Sequence, residues 1–327
     1  MTAVVVTRAG TAGRVGLSAA GLLALLLAAA PYLVTSDITH TLVDLFVFVV
    51  IATMWNLLAG YGGLVSVGQQ AYLGAGAYAV IALSVHGGIN AFLAVPLAAL
   101  AAGLLAVPLS FLAFRLHGGY FAIGTWVLAE VVKLVTAQIG PLGKGSGASL
   151  TTVSGYDPDI RVAYTYWLAL AVAAGSVTAV YLLIRTRTGL QLTAIRDDGI
   201  AAEAAGVRVR RAKRLVYLIA GTGTGAAGAI VCLNTLTVQP ESVFSVQWSA
   251  YMIFMVVVGG IGTIEGPIVG ALLFFGLQQA LSAQGPVYLI ILGAVGVAVV
   301  LLAPRGLWGS TVGRTSISVF PVGHTLR

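Results

Sequence analysis

The sequence predicts an all-α polytopic membrane protein, and three observations carry that reading. Of its 327 residues, 59% are hydrophobic and only 8% charged. The mean hydropathy is +1.00, whereas a soluble domain needs a polar exterior. Apolar runs recur from end to end, each close to the roughly 20 helical residues that cross a hydrocarbon layer about 30 Å thick. The runs are continuous rather than alternating, which argues against a β-barrel.

The elements follow in order. Residues 1–16 form a tail carrying Arg8 and Arg14, which the excess of Lys and Arg on the inner side assigns to the cytoplasm. Ten spans are then expected at roughly 17–34, 42–58, 64–84, 91–114, 120–138, 162–184, 215–233, 248–260, 266–282 and 287–303. Leu26 to Tyr32 resembles the end of a signal peptide, but the first run is as long as its neighbours, so a retained helix is expected. Alternation from an inner start puts Arg115, the loop 185–214 and Arg305 inside. It puts Asp37, Asp157, Asp159 and Glu241 outside. Eight of the 17 Lys and Arg residues lie in the 185–214 loop, which fixes that loop at the inner face. The membrane domain then covers 17–304, and the tail 305–327 joins the N-terminus in the cytoplasm.

Two spans are not plain helices. "GYGGLVSVGQQAYLGAGAY" (Gly60 to Tyr78) and "VVGGIGTIEGPIVGA" (Val257 to Ala271) are rich in glycine. Glycine and proline loosen a helix, and backbone groups freed at membrane depth must be answered by protein or by water in a cavity. Each stretch occupies the third unit of its half, counted as five spans plus five. Two inverted halves with broken or re-entrant segments in matching places point to a transport path. Ser66, Gln69, Gln70, Tyr72, Tyr120, Thr125, Gly259, Gly260, Gly262, Thr263 and Glu265 are the candidates to line it. The competing reading is close packing through small residues, as at Gly266 and Gly270, with each polar side chain a helix–helix hydrogen bond. Glu130 and Lys133 stand three apart on one helical face and can neutralise each other. They are either part of the polar path or an ion pair locking two helices near the outer surface.

Several chemistries are excluded. Cys232 has no partner for an internal disulfide, and His40, His86, His117 and His324 lack the spacing of a metal site. No nucleophile elbow or zinc-protease pattern appears. "GPLGKG" (Gly140 to Gly145) has glycine where a phosphate loop needs Ser or Thr, and "GTGAAG" (Gly223 to Gly228) falls inside an apolar span, where it reads as a packing face. The net charge of +7 is explained by loops held at a membrane rather than by nucleic acid.

The stretch "RDDGIAAEAAGVRVRRAKRL" (Arg196 to Leu215) concentrates charge. Asp197 and Asp198 can cap a helix, "IAAEAA" favours one, and Gly206 can end it. The result is about two turns from Gly199 to Ala205, too short to stand alone in water, so it must dock. Ile200, Ala204 and Val207 share a face, and Glu203 offers one strong acceptor among small alanines. Arg208, Arg210, Arg211, Lys213 and Arg214 are topology anchors.

"AAEAAG" resembles the EAA-type coupling loop of ABC importer permeases. "NLLAGYGGLVSVGQQAYLGAGAY" (Asn56 to Tyr78), "RLHGGYFAIGTWVLAEVVK" (Arg115 to Lys133), "GLQLTAIRDDGIAAEAAGV" (Gly189 to Val207) and "MVVVGGIGTIEGPIVGA" (Met255 to Ala271) resemble the LivM/LivH-type branched-chain amino acid permeases. The likeness spans most of 40–304, and "RLHGGYFAI" brings it nearer the LivM type. The resemblance implies a permease in a bacterial inner membrane, with no nucleotide or metal site of its own. It implies a second, LivH-like permease, two LivG/LivF-like ATPase subunits that hold ATP and Mg, and an extracytoplasmic binding protein. Arg196, Asp197, Asp198, Ala201, Ala202, Glu203 and Gly206 would then belong to the element seated on the ATPase. One stretch departs from the pattern: a "TGG-x-x-G" sequence usual after the fifth span is replaced by "LGKGSGASL" (Leu142 to Leu150). Relatives of this kind also carry urea, short amides and other small solutes. An ion-coupled transporter would need a deep coupling acid, for which Glu130 and Glu265 are the candidates, and it leaves "AAEAAG" without a role. A scaffold or receptor subunit without transport is the remaining class.

Overall fold

The computed structural model describes residues 4–6, 21, 26–281, 287–303, 305–315 and 324–326. Helix α1 (Ala30–Leu33) ends the first expected span; residues 17–20 and 22–25 of that span lie outside the described residues. Helix α2 (Ser36–Asn56) runs on as a π-helical turn to Tyr61. It starts earlier than its apolar run because its first turns are polar: Asp37 sits there and Thr41 Oγ1 donates to Asp37 O at 2.9 Å. Helix α3 (Gln70–Ile81) also ends in a π turn, Ala82–His86. Helix α4 (Ala91–Ala113) is capped by Asn90, whose side chain accepts from Phe92 N. It is followed by α5 (Gly119–Gln138) and by α6 (Pro158–Ile184), capped by Asp157.

The 185–214 region is more helical than expected. Helix α7 (Arg187–Asp197) and the short α8 (Gly199–Ala204) occupy most of it, and α9 (Val209–Thr235) begins inside it. Hydropathy marks only the apolar part of α9, so its first, basic turns read as loop. The rest is α10 (Pro240–Val243), α11 (Val246–Gly259), α12 (Glu265–Leu281), α13 (Val287–Leu302) and α14 (Gly306–Thr315). The expected tail 305–327 therefore opens with a helix, packed on α11 and α12. Strand β1 (Val4–Val6) pairs antiparallel with β4 (His324–Leu326), and β2 (Ala148–Ser149) with β3 (Thr237–Val238).

Among the described residues, seven helices are long and apolar enough to cross a membrane. The expected spans 64–84 and 266–282 are the short ones, an interrupted helix and a 17-residue helix. Helices α2 and α9 form the centre. Helix α9 lies against α4, α3 and α2, and α2 also against α6, α11 and α12. Lipid tails give apolar helices little reason to associate, so close packing must hold them. Along α9 this is done by glycine: a Cβ on Gly228 would lie 1.8 Å from Leu73 O, and one on Gly76 of α3 would lie 1.9 Å from Gly225 O. The "GTGAAG" sequence is thus a packing face. Phe48, Tyr251 and Phe274 close the other side, with Phe48–Phe274 centroids 5.0 Å apart.

Candidate functional site

Between α2 and α3 the chain leaves helical geometry. Gly62 N bonds Leu57 O at 3.1 Å and Leu64 N bonds Leu58 O at 2.9 Å, which closes the π turn and reverses the chain. Residues 62–69 then climb back beside the end of α2. Trp55 Nε1 donates to Ser66 O at 2.8 Å, Thr125 Oγ1 of α5 accepts from Val67 N at 3.2 Å, and Ser66 Oγ accepts from Gly68 N at 3.2 Å. Side chains thus answer the backbone groups that the break exposes, as membrane depth requires.

Ser66, Gln69, Gln70, Tyr72 and Thr125 are all buried within the bundle. Thr224 Oγ1 of α9 donates to Gln69 Oε1 at 3.3 Å, and Ser249 Oγ of α11 donates to Gln70 Oε1. The two glutamines therefore tie α3 to α9 and to α11, while their amide nitrogens have no hydrogen-bond partner among the described residues. Tyr72 stacks edge-on against Tyr217, centroids 5.7 Å apart.

The second break, between α11 and α12, is a tight turn. Gly260 has φ +131° and Gly262 φ +77°, values that L side chains rarely adopt. Thr263 Oγ1 donates to Gly260 O at 2.8 Å and accepts from Gly266 N at 3.0 Å, capping α12. Glu265 opens that helix. Gly259 is buried against Gly266, where a Cβ would lie 1.9 Å from the carbonyl oxygen.

The two breaks meet. Asn56, on the last turn of α2, donates through Nδ2 to Thr263 O at 2.7 Å and accepts through Oδ1 from Gly262 N at 2.8 Å. Gly60 lies directly under Gly262: a Cβ on Gly60 would sit 2.6 Å from Gly262 N. Asn56 is absent from the sequence-derived candidates. A lone amide in an apolar span just before a glycine-rich break was the signal available.

The charged stretch abuts the same node. Asp198 Oδ1 caps α8 by accepting from Ile200 N at 2.9 Å and Ala201 N at 3.0 Å. Gly206, at φ +85°, ends it. The expected two-turn helix and its stop are both present. Two details differ. Asp197 closes α7 rather than capping α8, because α7 extends to it. The face turned inward is Ala202, while Ile200 is 85% exposed, because a six-residue helix hung between α7 and α9 can bury only one small side chain against them. Ala201, Glu203 and Ala204 are exposed beside Ile200. Arg196 points back into the bundle, donating from Nη1 to Gly60 O at 3.2 Å.

Helix α5 stands apart. Of its apolar stretch 22% is buried, against 83% for α2. Phe121, Thr125 and Ala129 make its one buried stripe, and Tyr120 is 76% exposed. Lys133 Nζ lies 2.7 Å from Glu130 Oε2 and 3.4 Å from Glu241 Oε2 of α10, so the expected pair is a triad joining α5 to α10. The segment Leu142 to Leu150, which departs from the family pattern, folds as a cap over this end of the bundle. Gly143, Gly145 and Gly147 have positive φ, β2 pairs with β3, and His86 Nε2 meets Pro141 O at 2.7 Å. Among the described residues no group of three His, Cys, Asp or Glu could hold a metal.

An apolar bundle with two interrupted helices joined at one end, and a short exposed helix anchored at that same end, is the architecture of a polytopic membrane protein of the permease class. The family of branched-chain amino acid transport system permease components matches residues 37–302, and the chain belongs to it, as a permease subunit of the ABC importer class. The high-affinity branched-chain amino acid transport system permease protein LivM of Escherichia coli (strain K12) is 27% identical over 303 residues, covering 85% of this chain and 71% of its own length. Its counterpart in Salmonella typhimurium is 26% identical over the same shares. The L-arabinose ABC transporter permease protein AraH of Azospirillum brasilense is 28% identical over 38% of this chain and 37% of its own. No solved structure gives a significant match.

Proposed function

We propose that this chain conducts branched-chain amino acids across a bacterial inner membrane as one of two paired permease subunits. ATP and Mg bound on two cytoplasmic ATPase subunits would drive it, and an extracytoplasmic binding protein would deliver the solute. The carrying observation is α8. A six-residue helix cannot persist unsupported, yet it presents Ile200, Ala201, Glu203 and Ala204 outward, a small, flat face with one acceptor. That is what a groove on a partner subunit would take, with Asp198 and Gly206 fixing the two ends and Ala202 seating it on this chain.

The fold is ten crossings in two inverted halves of five. Helix α3 with its π turn and helix α12 have 17 residues each, roughly 26 Å at 1.5 Å per residue, and would act as the re-entrant members of their halves. Pairing of β1 with β4 supports both termini, 1–16 and 305–327, lying on one side. The membrane domain is 17–304, with 185–214 as its cytoplasmic coupling loop. The path runs along the exposed face of α5, between this chain and its partner permease. A charged triad facing lipid is costly, so Glu130, Lys133 and Glu241 face the solute or the partner, and Tyr120, exposed on the first turn of α5, lines the same route. Ser66, Gln69, Gln70, Tyr72 and Thr125 form the buried wall behind them. Gly259, Gly260, Gly262, Thr263 and Glu265 form the hinge below.

Reconstitution with the partner subunits tests this. Leucine uptake should require ATP hydrolysis, and a panel with urea, short amides and arabinose ranks the solutes. Uptake that follows a proton or sodium gradient without ATP overturns the reading. Glu203→Arg should release the ATPases while leaving the chain inserted; retention of the ATPases in that variant removes the docking role of α8.

A further inference from the structure

We infer that Arg196 is a positioning residue: it carries displacement of the α7–α8 element to both broken helices at once, through Gly60 on one side and Gly262 on the other. The inference rests on the coupling role proposed for α8.

The link is short and stiff. Arg196 lies on the last turn of α7, and Asp198, two residues on, caps α8. A shift of α8 therefore shifts the backbone of Arg196. Its guanidinium is a planar fork with fixed donor directions, and Nη1 is bonded to Gly60 O at 3.2 Å. Gly60 is in the π turn that ends α2, where the last carbonyls lack helical partners. A cation there is also favoured by the helix dipole. The alternative partner, Asp197, is 3.5 Å away with both side chains substantially exposed, a pair worth little. The Gly60 contact is thus the one that orients the side chain.

The second arm is steric. A Cβ on Gly262 would lie 3.0 Å from Arg196 Nη1, so the guanidinium rests against the turn between α11 and α12. That turn is held to α2 by Asn56 through two hydrogen bonds. Pushing Gly60 without Gly262 would break the Asn56 clamp, so the two breaks move together. A residue whose role was only to touch a partner subunit would point away from the bundle, as Glu203 does. Arg196 points into it.

The test uses the full complex in nanodiscs and proteoliposomes. Spin labels at Leu190→Cys on α7 and Ile261→Cys in the turn, both exposed, report their separation with and without ATP and vanadate. Cys232 is fully buried and stays unlabelled. Native Arg196 should hold one narrow separation in both states, whereas Arg196→Ala should broaden it and make it state-dependent. In parallel, leucine taken up per ATP hydrolysed should fall about tenfold in Arg196→Ala, with the ATPases still co-eluting. Arg196→Lys, which keeps the positive charge and N–H donors but not the planar fork, should restore part of it. Arg196 is nearly half exposed, so truncation leaves no sealed cavity. An unchanged separation in Arg196→Ala, or loss of the ATPases from that variant, overturns the inference. Failure of Glu203→Arg to release the ATPases overturns the coupling reading instead.

Discussion

Replacing Asn56 with alanine should destabilise the bundle more than its volume suggests. The side chain is 1% exposed and answers two backbone groups of a loop more than 200 positions away in the chain, Gly262 N at 2.8 Å and Thr263 O at 2.7 Å. Removing it leaves a donor and an acceptor unpaired in an interior with few alternatives. Each such loss costs about 1–3 kcal/mol. Both bonds are partly rather than wholly buried, which favours the lower half of the summed range, about 2–4 kcal/mol. Denaturant titration of the purified chain in detergent, followed by helical circular dichroism, reads this difference. Asn56→Leu separates hydrogen bonding from packing, since it conserves volume yet leaves the same two groups unpaired. It should cost as much as alanine. A loss under about 1 kcal/mol for alanine, or a leucine variant as stable as the native chain, refutes the reasoning.

Two glycines, one on α9 and one on α12, give a contrasting pair: Gly228→Ala must part α3 from α9 and should cost about 1–3 kcal/mol. Gly276→Ala on α12, with nothing within 4 Å of its Cβ, should be neutral or stabilising on the same titration. Thr263→Val removes the cap on α12 and should cost about 1–2 kcal/mol, with Thr263→Ser keeping most of the native stability. In the Glu130–Lys133–Glu241 triad, Glu241→Gln should leave the unfolding midpoint within scatter, because that side chain is 84% exposed. Lys133→Met should lower the midpoint measurably by leaving Glu130 without its near partner.

Much of this was legible because lipid simplifies the problem. Long apolar runs with charge at their ends can only be helices, so α4, α5 and α6 fall within a few residues of expectation. Gly60 to Tyr78 and Val257 to Ala271 were legible as breaks from glycine alone, and Gly206 as a helix stop. What was not legible is contact. Nothing local in "MWNLLAG" says that Asn56 reaches Gly262, or that Gln69 and Gln70 bond to Thr224 and Ser249, since those partners lie on helices far off in sequence. The extra helix α7 was missed for a different reason. "RTGLQLTAIRD" is of mixed polarity, and its helix is fixed by the Thr186 cap and by burial of Leu192 and Ile195 against the bundle.

The distribution of burial explains where movement can start and where it can go. Helices α2 and α9 are held over most of their length, so neither can shift without breaking many contacts. Among the described residues, helix α5 is held by one buried stripe, by the exposed Lys133–Glu241 pair to α10, and to the broken segment by the bond from Val67 N to Thr125 Oγ1. Residues 62–69 follow directly from the turn that Arg196 grips at Gly60. A displacement entering at α8 therefore has a continuous material route: Arg196, Gly60, the broken segment, then α5. Contiguity alone does not establish coupling, but a series linkage has a testable signature. If Arg196 and Thr125 act in series, breaking either link cuts the same route. Thr125→Val together with Arg196→Ala should then lose no more leucine uptake per ATP than the worse single variant. Independent contributions would multiply, because separate sites add in free energy, and that result would place α5 outside the route.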